Sequence, residues 1–324
     1  MVLTAAIVEY AVVPQLVKAR SAIDDVSGAS TWLLPVALCL QAASLACYTW
    51  LTQSTVPVRH RVSWPTQLAM DLTGFAAAHV LPGGGTASSA LRYRLMTTRR
   101  IPRPVALSTA AVEATFSYVA LLATYCVGVA LALPELNDHP YYVVGAVAGL
   151  GLIGASSAGF WALARSRPGS HVAPLVEPLR SVRLQQWARQ WRRLVGEVRS
   201  FLDDHERRNV ALVFALGNWL LDAACLWVCL AAFGAVVQPG LVLTAYGAAN
   251  LLGLLPITPG GLGVVEGVLM PALVAFGVGG AVAVLGVLAW RVLQFWLPIP
   301  VGGAAYVALR VADLRAGRDL SASR

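Results

Sequence analysis

The residues able to do chemistry in this chain are ionisable side chains set inside apolar sequence: Asp71, His79, Glu113, Asp222, Glu266 and Arg291. A charge at the centre of a bilayer costs roughly 2.5–3.5 kcal/mol on the most lenient scale, so such groups are rare and mark ion, proton or substrate pathways. Glu266 falls in the first turn of a short helical segment, where the dipole favours a carboxylate. Two roles are open to it, a cap on backbone donors or a ligand contact. Asp71 and Asp222 read as hydrogen-bonded links between helices, and His79 as a satisfied histidine beside a kink. Glu113 lies 31 positions after Pro82 and Arg291 lies 32 after Pro259, which makes the two near-equivalent on the segments that follow two chain breaks. They are expected to face one cavity and pair, or to leave Arg291 for a lipid phosphate when the pair opens. No Ser/His/Asp arrangement, metal-ligand cluster, P-loop or dinucleotide fingerprint occurs, so neither an enzyme nor a cofactor is expected.

The elements that must position these groups are membrane helices. The composition is 57% hydrophobic and 12% charged, with mean hydropathy +0.67; soluble domains carry about 25% charged residues. Apolar runs at 2–17, 32–51, 105–133, 141–164, 210–233 and about 281–309 predict about six spanning helices, since about 20 residues cross a hydrocarbon core. The five cysteines lie within apolar sequence and read as small buried hydrophobes. The N-terminal run has no basic flank and no cleavage site, so a removable signal peptide is not expected.

Two further apolar regions, 65–97 and 241–276, are broken by "LPGGGT" and "PITPGG". Irregular backbone at membrane depth survives only where protein or a wet cavity satisfies it. The arginine-rich stretches 52–64, 92–103, 165–208 and the C-terminal tail are placed in the cytoplasm by the positive-inside bias. That bias also explains the net charge of +8 without a nucleic acid partner. Each broken region then enters and leaves on one side, as a re-entrant hairpin of two half-length helices. The expected fold is therefore an all-α integral membrane protein, a single transmembrane domain over 1–324. Its first half, 1–139, is followed by an inverted second half, 140–324, with both termini cytoplasmic. Paired Gly/Pro breaks at corresponding positions of two inverted halves point to a transporter's binding site. Thr86 and Thr258 are candidate caps of the returning half-helices, and Gly260 and Gly261 would let a ligand approach the backbone. Within 165–208, Leu179, Val182, Trp187, Trp191, Leu194, Val198 and Phe201 alternate with arginines. This amphipathic segment suits either a headgroup layer or the ends of the bundle.

The stretch "LLPITPGGLGVVEG" resembles the lysylphosphatidylglycerol synthase/flippase transmembrane-region family. Its P-x-T-P-G-G-x-G-x-x-E run is matched by Pro256, Thr258, Pro259, Gly260, Gly261, Gly263 and Glu266. "HVLPGGGTASSALRYRLM" occupies the place of the family's first motif. Many members carry Gly-Glu-x-x-Arg after its first proline; here Ala87, Ser88 and Ser89 precede Arg92 and Arg94, and the glutamate is missing. Arg92 has two readings, a headgroup contact or an ordinary cytoplasmic arginine. No stretch of this sequence reads as the soluble aminoacyl-transferase domain of bifunctional members, so aminoacyl transfer to lipid is not expected. The resemblance implies a flippase-like transporter of an anionic phospholipid or polyprenyl-linked lipid in the bacterial plasma membrane, its partners being membrane lipids. The alternative is a non-transporting scaffold for an envelope lipid or glycan synthesis enzyme. The candidate substrate-binding residues are Thr86, Arg92, Glu113, Thr258, Gly260, Gly261, Glu266 and Arg291.

Overall fold

A computed structural model describes residues 30, 32–81, 84–136, 196, 198, 200–254 and 258–322. The expected spans at 2–17 and 141–164, and all but the end of the amphipathic segment, lie outside the described residues.

The described residues are helical, with no strand among them: α1 (Leu33–Thr55), α2 (Trp64–Val80), α3 (Gly85–Thr98), α4 (Arg103–Leu136), α5 (His205–Ala232), α6 (Pro239–Gly253), α7 (Val264–Ala275), α8 (Gly280–Arg291) and α9 (Pro298–Ala322). A π turn over Val292–Trp296 joins α8 to α9. Its cause is local: Pro298 and Pro300 have no N–H to continue the ladder, and the Leu297 N–H reaches back to the Val292 carbonyl at 2.8 Å. Four helical stretches are long and apolar enough to cross a membrane: Leu33–Thr55, Arg103–Pro134, His205–Ala232 and Gly280–Leu314. The helices flanking the two breaks are 17, 14, 15 and 12 residues long. At about 1.5 Å per residue none reaches the roughly 30 Å of a hydrocarbon core alone.

The bundle is turned inside out relative to a soluble protein. Gln41, Ser44, Thr49 and Thr52 of α1 are buried while Val36, Leu38 and Trp50 of the same helix are exposed. Valines and leucines likewise cover the outside of α4 and α5, as at Leu107, Val119, Val127 and Val213. An apolar exterior around polar contacts is what lipid as a solvent demands. The protein is an integral, multi-pass membrane protein. Of the cysteines, Cys225 and Cys229 are buried as expected, but Cys39 lies on the exposed apolar face.

Without a hydrophobic drive between helices, small residues let backbones approach. α5 packs along α1, where Ser44 Oγ donates to the Asn218 carbonyl at 2.8 Å and Cys47 fills the space left by Gly217. α6 packs on α4 through Gly128, Gly240 and Gly247. A Cβ at Gly128 would sit 2.6 Å from the Thr244 nitrogen. α9 packs on α2 through Gly302, which lies against the Leu72 carbonyl and the Ala76 side chain. Thus α2, from the first broken region, rests on the last helix, and α6, from the second, rests on the fourth.

Basic residues gather at one end of this bundle. Arg207, at the start of α5, donates to the Ser54 and Thr55 carbonyls at the end of α1, at 3.1–3.3 Å. Arg61 donates to Val56, and Arg99 meets Asp313 of α9 at 3.3 Å. At the other end Gln238 donates to the Leu131 carbonyl, and the Ser30 N–H to that of Ala232.

Because the glycine contacts are backbone-to-backbone, Gly128→Leu and Gly302→Leu are each expected to destabilise the protein by about 1–3 kcal/mol or more through overpacking. Gly303→Ala, with nothing within 4 Å of the added carbon, should be neutral. Thermal unfolding of the detergent-solubilised protein measures the difference; equal loss at all three would contradict the packing described.

Candidate functional site

The two chain breaks meet in the interior. A Cβ on Gly84 would lie 3.6 Å from the Gly260 nitrogen, and one on Gly260 would lie 2.5 Å from Phe295 and 2.6 Å from His79. Gly260 is at φ +59, a left-handed conformation that glycine alone adopts freely. The rings of His79 and Phe295 stand 4.2 Å apart, and His79 Nδ1 is buried without a hydrogen-bond partner.

Beside each break sits a polar network that ties four helical elements. The first is centred on Arg92, which α3 sends inward past Gly74 of α2; a Cβ at Gly74 would collide with the Arg92 side chain. Arg92 holds Glu113 of α4 with both ends of its fork, at 2.6 and 2.7 Å. The same Nη2 reaches Asp71 Oδ1 of α2 at 2.8 Å and Thr52 Oγ1 of α1 at 3.1 Å. Tyr48 of α1 donates to Glu113 Oε1, and Thr52 donates to Oε2 at 3.0 Å. Gln67, one turn before Asp71, donates to its Oδ1 at 3.0 Å. Bidentate arginine–carboxylate pairing is the strong form of this contact. A crevice of about 10 Å³, room for about one water, runs beside it between Ser89 of α3 and Thr109 and Ala110 of α4.

The second network is centred on Arg291 of α8. Its Nε lies 2.7 Å from Glu266 Oε1 of α7. The N–H is not aligned with that oxygen, so the contact is coulombic rather than a hydrogen bond. Arg291 also reaches Gln294 at 3.1 Å and the Gly261 carbonyl at 3.4 Å, and it lies over the rings of Trp290 and Phe295. The other oxygen of Glu266 accepts the Gly263 N–H at 2.7 Å, so the carboxylate caps α7 and pairs with the arginine at once. Asp222 of α5 accepts Tyr246 Oη of α6 at 2.6 Å and Trp290 Nε1 of α8 at 3.0 Å.

Exposure is 1% at Asp71, 4% at Glu113 and Glu266 and 2% at Arg291, so these charges are held inside the protein rather than at its lipid face. The expected Glu113–Arg291 pair does not form. Each instead takes the oppositely charged residue of the half-helix next to it, Arg92 for Glu113 and Glu266 for Arg291. Arg92 is accordingly no ordinary loop arginine, whereas Arg94 is exposed. The threonine caps also differ from expectation. α3 begins after Gly84, which places Thr86 in its exposed first turn. Thr258 precedes the short turn Pro259–Gly261 without capping it, and its hydroxyl is buried without a partner. Asp71 and Asp222 are hydrogen-bonded links between helices, as expected. Tyr48, Thr52, Gln67, Tyr246, Trp290 and Gln294 carry no charge at neutral pH, so the charge pattern of the sequence does not single them out. Thr52 and Gln67 are polar residues in helices that present an apolar face, which was the available signal.

A larger cavity, about 520 Å³, opens at the basic end. Among the described residues its charged and titratable lining consists of Arg59, His60 and Arg207, beside Ser108 and Phe201.

Removing one partner of a buried pair strands the other charge at a cost of about 3–5 kcal/mol. Glu266→Gln and Arg291→Gln should each destabilise by that amount, and the double variant should regain most of it. Glu113→Gln with Arg291→Gln should show no such recovery. Unfolding in mixed micelles reads the coupling, and additive losses for Glu266 and Arg291 would contradict their pairing.

Residues 1–302 match the sequence profile of the family described as the lysylphosphatidylglycerol synthase TM region. Three alignments with UPF0104 membrane proteins of Methanothermobacter thermautotrophicus agree with it. One is 30% identical over 109 residues, 34% of this chain and 32% of the relative. The second is 29% identical over 87 residues, 27% of this chain and 26% of the relative. A third, 22% identical, extends over 296 residues, 85% of this chain and 83% of the relative. The chain thus spans about a third and a quarter of the relatives' length in the first two alignments. With a profile match over nearly its whole length, the chain belongs to the lysylphosphatidylglycerol synthase transmembrane-region family.

Proposed function

We propose that this protein is a flippase-type lipid transporter, carrying an anionic phospholipid or a polyprenyl-phosphate lipid across the bacterial plasma membrane. In this reading the two broken regions are re-entrant hairpins, the two halves form an inverted repeat, and the basic end faces the cytoplasm. The observation that carries it is the pair of buried arginine–carboxylate contacts, each joining the second helix of a break to the span that follows it. Their signs are reversed between the halves: arginine on α3 faces glutamate on α4, and glutamate on α7 faces arginine on α8. Buried ion pairs contribute little net stability, and isosteric apolar replacements often do as well. A chain that keeps two of them at membrane depth uses them for something else.

A lipid phosphate supplies what these arginines already bind. It presents oxygens that a guanidinium grips bidentately, so it competes with Glu113 for Arg92 and with Glu266 for Arg291. The displaced glutamates then release α3 from α4 or α7 from α8, which opens one side of the centre. The termini differ in kind. No side chain caps α3 at Gly84, whereas α7 is closed by Glu266. The first turn of α3 carries no acidic residue; at α7 an anion must first displace the protein's own carboxylate. The basic cavity at Arg59, His60 and Arg207 is a landing place for an anionic headgroup on the cytoplasmic side. The protein carries out no bond chemistry in this account.

The second reading, a scaffold for an envelope lipid or glycan synthesis enzyme, draws on the tight packing around Glu266 and Arg291. Reconstitution separates the two. In vesicles holding labelled phosphatidylglycerol or a labelled polyprenyl phosphate, wild-type protein should move label to a leaflet reached by an impermeant quencher. Arg92→Lys and Arg291→Lys keep the charge but lose the fork, and should slow movement at least about tenfold, equivalent to about 1.4 kcal/mol on the barrier. Folded protein that moves neither lipid would favour the scaffold.

A further inference from the structure

The two networks have the same inventory, one arginine and two carboxylates: Arg92 with Asp71 and Glu113, and Arg291 with Asp222 and Glu266. Both therefore hold one acid more than they have bases, in a setting where an uncompensated charge is expensive. The second half meets its surplus with neutral donors. Asp222 accepts Tyr246 on one oxygen and Trp290 on the other, so both of its oxygens are satisfied. The first half does not. Glu113 takes both ends of the Arg92 fork and two hydroxyls, which makes it the counter-ion of that arginine. Asp71 receives donors on Oδ1 alone, from Gln67 and from an Arg92 nitrogen it shares with two other acceptors. Its Oδ2 is buried with no partner.

We propose that Asp71 carries a proton in this closed state, and that releasing it opens the Arg92–Glu113 contact and so couples lipid movement to a proton gradient. The coupling half of the proposal rests on the flippase reading above. With the proton on Oδ2 the network is neutral. Among the described residues, the titratable groups that face Asp71 are Arg92 from α3, Glu113 from α4 and Tyr48 from α1. α9 meets this part of α2 through Gly302, and His79, two turns along α2, faces Phe295. When the proton leaves for water, the network holds two carboxylates and one guanidinium. Arg92 Nη2 has two hydrogens for three acceptors, so a newly charged Asp71 draws it away from Glu113 Oε2. That loosens α3 from α4 beside the crevice at Ser89 and Thr109. Reprotonation from the opposite side restores the bidentate pair, and one proton crosses per cycle.

Infrared spectroscopy of protein labelled with [4-13C]aspartate detects a protonated aspartyl carboxyl without touching the fold. At neutral pH the labelled carbonyl band should be present and retained in Asp222→Asn. It should be lost in Asp71→Asn, and lost in the wild type at alkaline pH. No such band at neutral pH, or a band that disappears with Asp222 instead, would overturn the assignment. In proteoliposomes with labelled phosphatidylglycerol, an imposed pH gradient should accelerate translocation by wild-type protein, and a proton ionophore should remove the acceleration. Translocation at one rate with and without the gradient would overturn the coupling and leave the flippase reading standing. Absence of all translocation would end the flippase reading, and the coupling with it, while the infrared result still decides where the proton sits.

Discussion

A charge held at membrane depth has to be neutralised by a neighbour, and this requirement organises the structure. Arg92 reaches Glu113 and Asp71 only because α3 turns back from a break and because Gly74 leaves a channel for its side chain. Glu266 reaches Arg291 only because α7 restarts at Gly263, which lets one carboxylate oxygen close the helix while the other faces the guanidinium. The close approaches at Gly128 and Gly302 hold the broken helices against α4 and α9, so that short segments share the spans' burial.

The two networks correspond in place and differ in state. Both join the second helix of a break to the next span, with the charges exchanged. In the second network both oxygens of Asp222 and of Glu266 have a donor or a cation, and the α7 terminus is capped by the protein itself. The first half retains a surplus acid with a bare oxygen and a terminus that no side chain caps. In the proposed mechanism, where the two halves move against one another, the first is the responsive side and the second the braced one. The π turn after Arg291 fits that division, since it sets Gln294 and Phe295 around the arginine and keeps it in place.

Much of this was legible in the sequence. The long spans beginning near residues 33, 103, 205 and 280 follow from apolar length, and the breaks at Gly84 and Gly260 from glycine and proline inside apolar sequence. Glu113 and Arg291 each sit on the helix that follows a break, as their spacing from Pro82 and Pro259 suggests, but they do not pair with each other. Both find a nearer partner, because an opposite charge lies on the adjacent short helix. Arg92 was underestimated because an arginine near a basic loop looks like topology; only the path past Gly74 shows that it turns inward. Threonine at a break suggested a cap, yet glycine and a downstream glutamate hold those positions. The donors to Asp222 lie 24 and 68 residues away and have no local signature.

Membership of the lysylphosphatidylglycerol synthase transmembrane-region family sets this chain among membrane proteins. In the proposed mechanism α3 must part from α4 for lipid to pass. Ser89 and Ala110 line the crevice between them, so Ser89→Cys with Ala110→Cys, in a chain freed of its own cysteines, places a bond across that opening. Lipid translocation should stop when the two cysteines are cross-linked and return when the link is reduced. Undiminished translocation by the fully cross-linked protein would contradict the account.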